Sequence, residues 1–547
     1  MMRRGFIAGP GRWLLPAILC GVGFPVGFFR TQAQEPGNQD AARILPPAYY
    51  QRLAENPEFF SLKDGWIAKA AEASQAASLS GTLPVLVIPV LHSDTPEPWV
   101  APEEIQAALF DGPSAYGTVS EYYQEVSGGR LRVEGVTLPW VRTGVSRERA
   151  VGSSYGLGSD AAVGEFLLQA LAAADTLVDF GLFDNDGPDG IPNSGDDDGY
   201  VDVVAFEFLE VSASCGGPGI WPHRSRIRYW NNGRPFVSRA RRPDGSPILV
   251  DDYIIQSVVD CTGTRIQSAS TISHELGHVL GLPDLYDRSQ GLLREQRRWV
   301  VGCWSLMAAG SGWGCGTGPM DPDWKRPTHL TSYEKVRLGW LGGVREVGNV
   351  LGETFSLRPI RISEEALKIP LQPGVPPSSA EYLLVEYRTQ EGFDLDLPSS
   401  GVLILHIDPK VSGNQPCATC AQTYRVSLLE ADGNDGLRRT ELQGGNRGEP
   451  GDAWGFAGPG RLSARTYPST RLNSGASSPV TIYEISLEDG LAHITLSTAG
   501  INQASLLQEF LDSSATPLTD AERAYLDGRG NGNGQYDVGD LRAYLRR

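Results

Sequence analysis

"STISHELGHVLGLPDLYD", Ser270 to Asp287, sets two histidines four residues apart around a glutamate, with a glycine, a proline and two aspartates close behind. On a helix, residues four apart lie one turn apart on the same face, so the His274 and His278 imidazoles can reach one ion. Glu275 stands beside them, placed to hold and deprotonate a metal-bound water rather than to ligate. A catalytic zinc takes three protein ligands and keeps one position open. Gly281 can close the helix with a left-handed turn, and Pro283 forbids its continuation. The chain is thereby swung back so that Asp284 supplies the third ligand. The bland alternative, a helix with two hydrogen-bonded histidines, suits the first five letters better than the full H-E-x-x-H-x-x-G-x-x-D.

A second stretch agrees. "GCWSLMAAGSGWGCG", residues 302–316, puts Met307 in a turn of small residues downstream of the ligand helix, in a chain with only 4 methionines, two of them at its start. Metzincin proteases carry such a Met-turn beneath the zinc.

"HELGHVLGLPDLYD" and "WSLMAAGSG" resemble the immune-inhibitor-A-type secreted metalloproteases, a metzincin-like group with an aspartate as third ligand. "VLVIPV", "GTVSEYYQEVSGGRLRVEG", "IWPHR" at Ile220 to Arg224, "PTHLTSYEKVRLGWL" and "EYLLVEYRTQEGFDLDLPSSGVLILHID" agree in order. The resemblance spans about residues 84–490. It implies that His274, His278 and Asp284 bind zinc, that Glu275 is the general base, and that the chain is a secreted endopeptidase acting on protein or peptide substrates. One departure is a short leader in which no switch residue for latency stands out. An oxyanion-stabilising donor is expected, with Tyr286, Tyr333 and His223 as candidates.

The whole chain fits an exported protein. At 547 residues it is too long for one ordinary domain. Its formal charge of −18 argues against a nucleic-acid partner and for solubility or cation binding. "MMRRG" followed by the uncharged stretch Trp13 to Phe29 and the small-residue site ending at Ala33 reads as a signal peptide. A membrane anchor is the competing reading, but the stretch is short and holds Gly and Pro. A lipoprotein route through Cys20 is weakened by the residues before it. Six cysteines remain after the signal: Cys215, Cys261, Cys303, Cys315, Cys417 and Cys420. An even number in an exported chain suggests three disulfides. Neighbours favour Cys417–Cys420 and Cys303–Cys315, leaving Cys215–Cys261, although six cysteines allow 15 pairings.

The expected organisation is a signal over 1–33, a leader over 34–82, an α/β (α+β) metzincin-like zinc protease domain over 83–344, an all-β sandwich-like domain over 345–499, and a short helical EF-hand-like tail over 500–547. The leader stretch "EFFSLKDGWIAKAAEASQAASLSG" reads as one helix. "PVLVIPVL" reads as a buried strand, and "SDAAVGEFLLQALAAADTLVDF" as a long helix. After Trp340, short β-branched and aromatic runs alternate with Gly, Pro and Asn loops.

Two acidic loops suggest calcium. Asp179 to Asp202 holds eight aspartates and no Lys, Arg or Glu; hard oxygen ligands among glycines suit Ca²⁺. Asp179, Asp184, Asp186, Asp189, Asp196, Asp198 and Asp202 are its candidate ligands, against the alternative of a solvated loop. In the tail, Asn531, Asn533, Asp537 and Asp540 fall at EF-hand-like offsets, but the first loop position is Arg529, which cannot ligate. The tail resembles one dockerin repeat; a dockerin binds a cohesin-type partner, and the single repeat and the arginine argue against that here. "EADGNDGL" (430–437) and "NRGEPGDAW" (446–454) could hold another ion, or be turn chemistry. Rival readings are a carbohydrate- or surface-binding protein with a degenerate protease domain, and a zincin that cleaves another amide or ester bond.

Overall fold

The computed structural model describes residues 46–545, apart from 63–65, 67–68, 70–77, 288, 290–295, 313, 317–325, 417–422, 456–460, 502 and 513–515. The apolar run at residue 84 becomes a central strand, β1 (Gly81–Leu91), buried along all but its first two residues. A strand buried on both faces needs a covered sheet on either side. β1 pairs in parallel with β2 (Leu131–Thr137), with the short β3 (Val141–Arg142), and with β4 (Val204–Phe208). The antiparallel β5 (His223–Arg226) forms the edge, a separate hairpin is made by β6 (Phe236–Arg241) and β7 (Pro247–Val250), and β8 (Asp252–Ser257) joins β4 to β5. The order is β2-β1-β4-β8-β5.

Alternation along β1 sorts the layers, because successive side chains point to opposite faces. Leu83, Val85 and Val87 join one core, with the helix Val119–Val126 and with Ile272, Leu276 and Val279 of the histidine-bearing helix. Leu86, Ile88 and Val90 join another, covered by the buried stripe of Val163, Phe166, Leu167, Ala170 and Leu171 on the helix Val163–Ala174. That helix has 12 residues, shorter than its apolar spacing suggests. In the leader, the helix found is Pro47–Glu55, and residues 57–60 form a turn; most of the helix expected beyond them falls outside the described residues.

The β-rich region holds two mainly antiparallel sheets. One comprises β9 (Gly343–Glu346), β11 (Glu365–Pro370), β12 (Tyr382–Arg388), β13 (Gly401–Ile407) and β14 (Val426–Leu428); β11 and β9 run parallel. The other comprises β10 (Glu353–Leu357), β15 (Leu462–Ser463), β16 (Thr481–Glu488) and β17 (Leu491–Ser497). Val385, Val402 and Ile404 share a core with Phe355, Ile482 and Ile494 across the two sheets. The alternate positions Leu384, Leu403 and Leu405 point the other way, into the core that contains Trp304 and Met307. One sheet therefore serves two cores, and the β-rich region is continuous with the α/β region.

Three helices close the chain: Gln503–Leu511, Asp520–Arg529 and Val538–Leu545. Leu506, Leu518, Leu526 and Leu541 hold them together. The middle helix had no counterpart in the sequence reading; Thr519 caps it through a reciprocal pair with Glu522. Disulfides join Cys215 to Cys261 and Cys303 to Cys315. Cys417, Cys420 and the signal segment 1–33 lie outside the described residues. Among the described residues, no helix is long and apolar enough to cross a membrane.

Candidate metal centre

The histidine-bearing helix runs Ser270–Val279 and stops at Gly281, whose φ of +80° is the left-handed conformation a glycine adopts without strain. The Gly281 N–H donates to the His278 carbonyl at 2.9 Å and the Leu282 N–H to the Gly277 carbonyl at 3.0 Å. These two bonds make a Schellman ending, which turns the chain so that Asp284 comes back to the two histidines.

The three ligand atoms form a near-equilateral triangle. His274 Nε2 lies 3.2 Å from His278 Nε2, and Asp284 Oδ1 lies 3.2 Å from the first and 3.3 Å from the second. Ligand bonds of about 2.0–2.1 Å in tetrahedral geometry give edges of about 3.3 Å. The opposite nitrogens explain why the triangle exists. His274 Nδ1 donates to the Leu306 carbonyl at 2.9 Å, and His278 Nδ1 donates to the Leu282 carbonyl at 2.7 Å. With each ring proton held on Nδ1, both Nε2 atoms are lone-pair acceptors facing a carboxylate, an arrangement that calls for a cation. Burial would raise the Asp284 carboxyl, but positive charge at the facing His278 and His274, the place a bound cation would take, holds it well below the usual carboxylate range. It stays charged, as a ligand must. The donor set therefore fits zinc.

Glu275 is buried beside the triangle, and its Oε2 has no hydrogen-bond partner. Arg224 Nη1, carried on the edge strand β5, lies 3.8 Å from that oxygen. Met307 lies under the helix: a Cβ placed on Gly277 would come 2.6 Å from the Met307 sulfur, so only glycine lets the turn approach between the two histidines. Ser305 fixes that turn by accepting the Met307 N–H at 3.0 Å and donating to Glu334 at 2.7 Å.

Residues 105–341 match the family model of the immune inhibitor A peptidase M6 catalytic domain. Over these residues the chain is similar to the M6 peptidases. It is 31% identical to the immune inhibitor A of Bacillus thuringiensis subsp. alesti over 238 residues, 39% of this chain and 31% of that protein. It is 28% identical to the pre-pro-metalloprotease PrtV of Vibrio cholerae over 256 residues, 43% of this chain and 26% of that protein. The chain thus spans under a third of the length of either relative.

Within the matched region the oxyanion candidates make other contacts. His223 uses both ring nitrogens, on the Trp221 carbonyl at 2.7 Å and the Tyr253 hydroxyl at 2.9 Å, and burial lowers it to about 4. Tyr333 accepts from Arg425 at 3.1 Å, and Tyr286 packs against Trp299. Arg224 escaped the sequence reading: a lone arginine three residues after Trp221 has no spacing to mark it, and only the strand edge brings it to Glu275.

The aspartate-rich loop of the matched region is sorted by burial. Asp184, Asp186 and Asp202 bring one oxygen each within 4.8 Å of one another. Both oxygens of Asp184 and one of Asp202 are buried without a hydrogen-bond partner. Burial, with Asp197 and Asp198 nearby, pushes Asp184 up to about 8, and burial pushes Asp198 up to about 6. Asp179, Asp189, Asp196 and Asp198 instead accept loop N–H groups, from Gly181, Ile191, Asp189 and Tyr200. Asp197, absent from the sequence candidates, is buried and accepts from Gly187 and Ser194.

In the tail, beyond the matched region, Asn531, Asn533, Asp537 and Asp540 do come together, but through hydrogen bonds. Asp537 Oδ2 accepts from the Asn531 and Asn533 amides at 2.8 and 2.9 Å, and Asp540 accepts the Asn531 and Asp537 N–H groups. A third acidic group, Glu430, Asp432 and Asp452, joins the two β-region segments noted in the sequence.

Proposed function

We propose that this chain is a secreted zinc-dependent endopeptidase. The observation that supports it most is the triangle of His274, His278 and Asp284, with tetrahedral-edge spacing, beside a buried Glu275 oxygen that accepts no hydrogen bond. Zinc, when bound, supplies a Lewis acid that polarises a peptide carbonyl and makes water nucleophilic near neutral pH. Glu275 holds that water, takes its proton and passes it to the departing amine. Arg224 restrains the Glu275 carboxylate from the edge strand, and Met307 supports the helix from below. The match of residues 105–341 to the M6 catalytic domain supports the peptide bond as the target.

Export is supported by the signal-like start and by two disulfides in the described residues, since such bonds persist in oxidising compartments. The domain limits proposed are 1–33, 34–82, 83–344, 345–499 and 500–547, the fourth a β-sandwich and the fifth EF-hand-like. Calcium is proposed at Asp184, Asp186 and Asp202, where orphaned buried carboxylate oxygens ask for a hard cation.

The deciding experiment is casein hydrolysis by the purified mature protein and by Glu275→Ala, with zinc measured in both, and His278→Ala alongside. Wild type should cleave; Glu275→Ala should keep zinc and lose activity by about a hundredfold or more; His278→Ala should lose zinc as well. Zinc in both of the first two with cleavage by neither would refute the endopeptidase reading while leaving the metal centre standing.

A further inference from the structure

We propose that Glu430, Asp432 and Asp452 form a second hard-cation site, of calcium type, that clamps the β-rich region onto the segment carrying Met307. One oxygen from each lies within 4.8 Å of the others. Backbone pairing brings them together: the Ala431 N–H donates to the Asp452 carbonyl and the Asp432 N–H to the Gly451 carbonyl, each at 3.0 Å. Gly451 lets Asp432 sit against the backbone, where a Cβ would collide with its carboxylate.

Asp452 gives the independent sign of a ligand. It is fully buried, and its Oδ2 accepts from the Trp304 indole and from the Glu449 N–H, both at 2.9 Å. Those two bonds fix the carboxylate plane and leave Oδ1 buried with no partner. Glu430 is also buried, and its two oxygens share a single donor, the Leu437 N–H at 3.2 Å. Among the described residues no ion pair relieves any of the three. Leaving such charges in a low-dielectric site is costly unless they are protonated or coordinated. Burial and mutual repulsion push Glu430 up to about 9 and Asp452 up to about 7. An all-oxygen carboxylate set with one exposed member, Asp432, suits calcium rather than a transition metal and leaves a way in.

The segment between the two contributing stretches is tied to the Met-turn. The Cys303 N–H donates to the Arg447 carbonyl at 2.7 Å, and the Gly316 N–H to the Gly448 carbonyl at 2.8 Å. The Cys303–Cys315 disulfide encloses Met307 between those two anchors. An ion that fixes residues 430–452 therefore fixes both ends of the loop under the zinc centre. This holds whether or not the chain cleaves peptides.

The test counts calcium equivalents by titration calorimetry on zinc-loaded mature protein: wild type, Glu430→Gln, Asp432→Asn and Asp184→Asn. Glu430→Gln and Asp432→Asn should each lose one equivalent, or weaken it by about tenfold or more. Asp184→Asn should lose a different one. Melting should change sign: without calcium Glu430→Gln melts higher than wild type, and with calcium lower. Hydrogen exchange over 303–316 should be slowed by calcium in wild type and not in Asp432→Asn. Equal equivalents and affinity in wild type and both cluster variants overturn the site; loss of the equivalent with unchanged exchange over 303–316 overturns the clamp. Asp432 is exposed, so its variant carries the test even if Glu430→Gln does not fold.

Discussion

The loops at 179–202 and 527–540 are written in the same letters, Asp, Asn and Gly, yet they meet their charges in opposite ways. In the first, Asp184 is buried with both oxygens unpartnered, and its carboxyl is pushed up to about 8. In the second, Asp537 is half-buried, and the Asn531 amide, the Gly539 N–H and the Asn533 amide hold it below the usual carboxylate range. Composition is shared, and each loop buries an aspartate, but donor supply differs: fully buried Asp540 accepts two N–H groups, whereas Asp184 accepts none. An acidic loop demands a cation when the fold removes water without supplying N–H groups; otherwise it satisfies itself.

The largest expected effect separates the two loops outright. Removing calcium with a chelator that spares zinc should lower Tm, by the equivalent of about 2.7 kcal/mol if calcium had stood about a hundredfold above its Kd. Most of the part assigned to the first loop should vanish in Asp184→Asn. A calcium-independent Tm in wild type would erase the contrast.

The next effect is a pH slope in calcium-free protein. A carboxyl whose folded pKa is raised holds a proton that the unfolded chain gives up, so its contribution is complete below about pH 4 and is lost as pH rises through the folded value. For Asp198 and Asp184 that window ends at about 6 and about 8; Glu430 and Asp452 add to it in the same direction. Scanning calorimetry from pH 5 to pH 8 should therefore show a falling Tm in chelator and a flatter profile with calcium, a difference that shrinks in Asp184→Asn.

The smallest effect belongs to the tail. Asp537→Asn should shift Tm less than either change above, and by the same amount with and without calcium. A calcium-dependent shift there would move the 527–540 loop into the class of the first.

The zinc triangle was legible because its ligands sit within eleven residues and helix geometry alone brings two of them together. The calcium candidates were legible only as a crowd. Which of seven aspartates lose water depends on how residues 184 and 202 meet over the sheet, a tertiary fact with no local spacing. Arg224 was invisible for the same reason. The β runs at 382–388 and 401–407 were readable from their β-branched and aromatic residues. Their two-sided burial was not, since Leu384 and Val385 look alike in sequence yet serve different cores. The 520–529 helix carries little apolar periodicity because it is mostly polar, and its one local signal is the capping pair Thr519 and Glu522.

The sulfur of Met307 rests against Gly277 with no room for one more heavy atom between them, and its side chain is wholly buried. Oxidants reach a buried thioether only when the surrounding structure opens. A sulfoxide at 307 therefore records that a molecule has unfolded in oxidising surroundings. An oxygen on the side of that sulfur facing Gly277 would press the turn away from the histidine helix. Peroxide should spare Met307 in the folded protein and oxidise it in copies that open.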